Sequence, residues 1–168
     1  MTDMVSTIPA SAATRSHAAK RLSILEAATV IFCRDGFASA SIETIAAEAG
    51  VSRQTIYNHY SDKEKLFTAV VKDMTERANA GLFATIAGFP DRPSDLAAEL
   101  VDFATKLAAN CLCNRDCIAL RKLIQAEGER YPELFAPWRL LGPERAWAAI
   151  GARFARLHHL GYLDIDDP

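Results

Sequence analysis

Apolar residues recur along most of this chain at the three-to-four spacing of amphipathic helices. Leu25, Ala28, Ile31 and Phe32, with Ile24 and Ala27 beside them, form a first stripe that stops at Gly36, a candidate helix terminus. Ile42, Ile45, Ala46 and Ala49 follow Ser41 at i, i+3, i+4 and i+7, which predicts a Ser-capped helix ending at Gly50. Val51 reads as an apolar plug in a turn, and Ser52 as the cap of a third helix that runs to about Tyr60 with Ile56 inward. Ser61 or Asp62 caps a long fourth helix whose inner face carries Leu66, Phe67, Val70, Val71 and Met74. The sequence Pro90-Asp91-Arg92-Pro93 breaks the pattern, and further helices are predicted over residues 94–109, 116–126, 132–140 and 143–160. Residues 1–14 have no periodicity, low hydrophobicity and Pro9, and are expected to form a disordered arm.

Composition agrees with an all-α fold: 30 Ala stand against 6 Val, a bias toward helix formers and away from the β-branched residues that strands prefer. No signal peptide is visible and no apolar run is long enough to span a bilayer, so a cytoplasmic protein without a membrane partner is expected. A net charge of -2 gives no global field that attracts polyanions, so a nucleic-acid partner would have to be met by a local patch. Cys33 stands alone, whereas Cys111, Cys113 and Cys117 cluster as C-x-C-x3-C. That spacing leaves a fourth metal ligand unassigned, and no metal or cofactor is expected. The cysteines read first as small buried hydrophobes. A thiol-based redox sensor and an enzyme using the cluster are the alternatives, although no Cys-His or Ser-His-Asp spacing is recognisable and the chain is expected not to be an enzyme.

Residues 41–63 carry the most specific chemistry. Two short helices joined by a Gly-containing turn are the helix-turn-helix arrangement, whose second helix enters the major groove of DNA. That second helix leaves Arg53, Gln54, Thr55, Asn58 and His59 largely outside, an odd surface for solubility alone, which Lys and Glu would serve better. Arg pairs with guanine O6 and N7, Gln or Asn with adenine, and the Thr methyl touches the thymine methyl. Tyr57 and His59 can donate to phosphate oxygens, and Lys63 supplies charge at the start of the next helix.

The stretch "RLSILEAATVIFCRDGFASASIETIAAEAGVSRQTIYNHYSDKEKLFTAVV" resembles the DNA-binding domain of the tetracycline-repressor (TetR) family, with its F-x-x-x-G, IA-x-x-AGVS, T-I-Y-x-H-Y and KE-x-L elements in order. The resemblance implies that Arg53, Gln54, Thr55 and Asn58 face bases and that Ser41, Thr44, Tyr57, His59 and Lys63 face the phosphate backbone. The stretch "ALRKLIQAEGERYPELFAPWRLLGPERAWAAIGARFARLHHLGYLDIDDP" looks like the C-terminal regulatory domain of AefR-like members. Together the two imply a three-helix helix-turn-helix domain over 15–66, joined through a long helix to a ligand-binding and dimerisation bundle over 67–168. The implied function is a repressor, homodimeric on a palindromic operator in double-stranded DNA and released by a small-molecule effector. Family members usually continue through one or two more helices, so the bundle is expected to be incomplete. The stripe Trp147, Ile150, Phe154 and Leu157 is then expected to be open to solvent or to a partner chain, with a weakened dimer. A truncated interaction module is a further alternative.

Overall fold

The computed structural model describes residues 12–165, with side chains from His17 onward. Among the described residues every regular element is helical: α1 (Ala12–Ser39), α2 (Ile42–Ala49), α3 (Arg53–Tyr60), α4 (Lys63–Ala87), α5 (Leu96–Cys113), α6 (Arg115–Glu127), a 3-10 turn (Pro132–Phe135), α7 (Ala136–Leu141) and α8 (Pro143–His159). No helix among them is long and apolar enough to cross a membrane. The chain divides into two compact units, Met1–Leu66 and Phe67–Pro168. Of the arm expected over residues 1–14, residues 1–11 lie outside the described residues. Residues 12–14 belong instead to the opening turn of α1, where Ala12 and Ala13 carry the highest helix propensity of any residue.

In the first unit α1 packs on α2 and α2 on α3. Ile24, Ala28, Ile31 and Phe32 of α1, Ile42, Ile45 and Ala46 of α2, and Ile56 and Tyr60 of α3 are buried, as the helical stripes of the sequence require. Burying an Ile or Phe side chain of this kind contributes roughly 1.5–3 kcal/mol. Gly36 interrupts the helical geometry of α1 with φ 76° and ψ 174°, a backbone region that side chains with a Cβ avoid.

In the second unit the α4 residues Phe67, Val70, Val71, Met74 and Ala78 are buried, and the Phe67 ring meets Phe135 edge-on at 5.5 Å. A separate cluster joins Phe89, Phe103 and Leu157, with Leu96, Leu100, Leu107 and Phe154 packed against it. Arg156 of α8 pairs with Asp91 in the segment between α4 and α5. The α5–α6 boundaries differ from the sequence reading. Helix α5 runs on to Cys113 and α6 starts at Arg115, because Asn114 ends one helix and caps the next, its Oδ1 accepting from Asp116 N at 2.9 Å and Cys117 N at 3.2 Å. The apolar stripe of α8 is also less open than expected. Leu157 is fully buried and Phe154 is packed within the chain, leaving Trp147, at 71% exposure, as its one widely exposed member.

Candidate nucleic-acid interface

Helices α2 and α3 begin with the same four-residue device, Ser41-Ile42-Glu43-Thr44 and Ser52-Arg53-Gln54-Thr55. In each, the Ser Oγ accepts from the backbone N of the Thr at 3.1 Å, which satisfies a helix-terminal donor. In each, the two hydroxyl oxygens also lie in hydrogen-bond contact, at 2.8 Å for Ser41 and Thr44 and 2.9 Å for Ser52 and Thr55. Between the helices Gly50 sits in the left-handed region at φ 65° and ψ 33°, and Val51 N donates to Ala46 O at 3.0 Å. This is the C-terminal closure in which glycine is the favoured residue. The turn is thus fixed by Gly50 on one side and Ser52 on the other.

The eight residues of α3 divide into faces. Ile56 and Tyr60 are buried, and the Tyr60 hydroxyl donates to the Arg21 carbonyl of α1 at 3.4 Å. Thr55 and His59 are half-buried on a flank, whereas Arg53, Gln54, Tyr57 and Asn58 form the outward stripe. Gln54 Nε2 donates to Asn58 Oδ1 at 2.9 Å, one helical turn apart, so the two amides stand as one row of donors and acceptors. Tyr57 is 44% exposed, which places its ring on this stripe beside the residues expected to face bases. Thr55 turns its hydroxyl back toward Ser52 and away from the stripe's centre.

Three further expected contact residues are engaged with more distant partners in the first unit. Arg53 Nη1 lies 2.6 Å from Glu43 Oε1 of α2, an ion pair that bridges the two helices and keeps the Glu43 carboxyl below its ordinary range. Both side chains are solvent-exposed, so the pair is readily exchanged for other partners. Lys63 Nζ donates to the Ala38 carbonyl at 3.1 Å and stands 4.8 Å from the centre of the Phe37 ring. The His59 ring packs against His17 of α1 at 4.2 Å. Burial first, then His17, Arg21 and Lys20, push the His59 imidazole below its ordinary value. Arg21 and Lys20 add positive charge beside α3, and with His17 they were missed in the sequence. Their signal was the run "HAAKR", which places His17, Lys20 and Arg21 within two turns of one helix.

The second unit holds a cavity of about 460 Å³, with Leu82, Leu120, Ile124 and Trp138 among its apolar walls and Asn110 and Arg121 among its polar ones. Cys111 and Cys117 line it as well, while Cys33 and Cys113 are exposed. Burial, followed by neighbouring Cys111, pushes the Cys117 thiol up, which works against a reactive thiolate. Among the described residues no group of three or more His, Cys, Asp or Glu side chains is placed to hold a metal ion.

Comparison with known proteins bears on both units. Residues 24–70 match the profile of bacterial regulatory proteins of the tetR family, and residues 98–168 match that of the AefR-like transcriptional repressor C-terminal domain. UidR of Escherichia coli, an HTH-type transcriptional regulator, is 35% identical over 118 residues, which is 69% of this chain and 55% of UidR. The chain spans about half the length of the curated relatives it matches. The crystal structure of a TetR-family transcriptional regulator from Mesorhizobium loti aligns with a TM-score of 0.76 at 32% identity, over 90% of this chain and 74% of that one. The flavonoid-responsive regulator FrrA aligns with a TM-score of 0.70 at 26% identity, again over 90% and 74%.

Proposed function

The chain belongs to the TetR family of bacterial regulatory proteins, and on that premise we propose that it is a cytoplasmic DNA-binding transcriptional repressor released by a small molecule. The observation that carries the reading is the outward stripe of α3. Arg53, Gln54, Tyr57 and Asn58 stand together on a helix capped at both ends and anchored through Ile56 and Tyr60, a surface rich in paired donors and acceptors. Ser41 and Thr44 at the start of α2, with His17, Lys20, Arg21, His59 and Lys63 around α3, supply groups suited to phosphate oxygens.

A two-turn helix reads only a few base pairs, so two copies on a two-fold site are needed for useful affinity, with recognition helices about 34 Å apart. Exposed Trp147 and Leu140, at 71% and 66%, support self-association through the second unit. The cavity of that unit supports binding of an effector, and the flavonoid response named for FrrA supports a small organic one. Release requires only that the effector bind better to the conformation that does not match the operator spacing. No catalytic step enters this account.

The test is selection of bound sequences from random duplex DNA, followed by titration of the enriched site. A two-fold symmetric site bound by two copies is expected. Enrichment of no sequence above background, under low salt and at micromolar protein, would refute the proposal.

A further inference from the structure

We propose that the cavity of the second unit receives an apolar organic acid, its hydrocarbon body against Leu82, Leu120, Ile124 and Trp138 and its carboxylate against Arg121. This rests on the reading of that unit as the ligand-binding part of a repressor. The size, about 460 Å³, falls within the range of small-molecule sites. The charge of the walls selects further. Among the described residues no Asp or Glu lines the cavity, and Arg121 is the only permanently charged side chain that does.

Arg121 is a guanidinium held in place without an acid. Its Nη2 donates to the Cys111 carbonyl at 2.6 Å, which fixes the side chain across the α5–α6 corner. Among the described residues it joins no ion pair, whereas Arg34, Arg53, Arg77 and Arg156 each face a carboxylate. Asp116, one turn earlier on α6, is itself paired with Arg77 at 3.8 Å. The remaining donors of Arg121 form a planar fork that matches a carboxylate. Arg121 is solvent-exposed while Leu120 is buried, so the acid group sits at the mouth and the apolar body points inward. Asn110, which also lines the cavity, keeps a buried amide nitrogen without a hydrogen-bond partner among the described residues, a second donor that an acceptor oxygen would satisfy. A cationic ligand would surrender hydration beside Arg121 and find no carboxylate in return.

The test compares three probes with one ring system: naphthoate, naphthamide and naphthylmethylammonium, titrated calorimetrically into the full chain. Naphthoate is expected to bind about tenfold more tightly than the amide, and the ammonium more weakly still. In R121Q the preference for naphthoate over naphthamide should vanish while amide affinity is kept, and R121K should restore part of it. Location is read separately. The chain has two Trp residues, and W147F leaves Trp138 as the sole Trp emitter, whose selectively excited fluorescence naphthoate should quench. Equal affinities, a preference for the cation, an R121Q variant with the preference intact, no binding of any probe, or an unquenched Trp138 would each overturn the inference. Operator binding without probe binding removes the ligand class alone, and probe binding without operator binding removes the repressor reading alone.

Discussion

Replacing Ser52 by Ala tests whether α3, the proposed recognition helix, depends on its cap. The change deletes one hydrogen bond, Thr55 N to Ser52 Oγ at 3.1 Å, and the hydroxyl contact at 2.9 Å, without touching the stripe that faces outward. Loss of a Ser cap costs about 1 kcal/mol, within a range of roughly 0.5–2, whereas Gly at the same position costs only a few tenths. Helix α3 has eight residues, too few to be helical alone, so the loss falls on a helix held by Ile56, Tyr60 and its caps. A cost of that size lowers Tm by about 4–8 °C if the first unit melts separately and by about 2–4 °C if the whole chain melts together. Fraying of the first turn should weaken operator binding by up to about fivefold, since 1.4 kcal/mol is a factor of ten. Calorimetric melting and fluorescence-anisotropy titration of S52A, S52G and the parent decide it. If S52A and S52G melt together, or S52A binds DNA as the parent does, the cap is not what organises the reading surface.

Alanine at Arg53 or Gln54 should each weaken the selected operator by about five- to a hundredfold and relax preference at one base position, measured by repeating the sequence selection with each variant. Uniform weakening over all sequences would remove that residue from base readout. K63A should weaken all duplexes alike and make the dependence of log affinity on log salt shallower by about 1, because a phosphate partner releases one counterion fewer. For His59 the sign follows from its depressed value, below 6.5 in the free protein. A phosphate beside it favours the imidazolium, so binding takes up a proton and operator affinity should rise as pH falls from about 7.5 to 5.5, a slope that H59Q abolishes. Stability runs the other way. The unfolded chain binds more protons here, so the His59 contribution is fully present above about 6.5 and is lost as pH falls through that value toward the folded one, which acid-range melting of parent and H59Q measures.

The first two helices of the first unit were legible because each carries a periodic apolar stripe with punctuation, such as Ser41 and Gly50 around α2, whereas α3, with only Ile56 and Tyr60 buried, was legible from its Ser52 cap and the turn before it. The α5–α6 corner was not, since a single Asn serving as end and start leaves no run of loop residues to see. Periodicity likewise marked Trp147, Phe154 and Leu157 as one stripe, but could not tell that Phe89 and Phe103 close over its lower part from more than 50 residues away. On the proposed contact surface, spacing placed Arg53, Gln54 and Asn58 outward as found, whereas Thr55 and His59, expected outside with them, are half-buried and Tyr57 joins the stripe instead; the existing partners of these residues were beyond it. The Arg53 to Glu43 bridge joins positions ten apart across a tight turn, and the His59 to His17 contact joins residues forty-two apart. Short-range pattern reports which way a side chain points, and long-range folding decides what it meets.

The bridge between Arg53 and Glu43 also bears on how such a surface would search a chromosome. An arginine left bare would cling to every phosphate it passed, slowing transit along irrelevant duplex. With Glu43 already 2.6 Å away, a passing phosphate must outcompete a carboxylate of the same sign at the same guanidinium, and gains little by doing so. A guanine presents two acceptors in the geometry of the fork and carries no net charge to repel Glu43. On the proposed reading, the intramolecular partner would act as a resident competitor that lowers the background of indiscriminate contacts more than it lowers the correct one, so that discrimination would be gained by making the first encounter less adhesive.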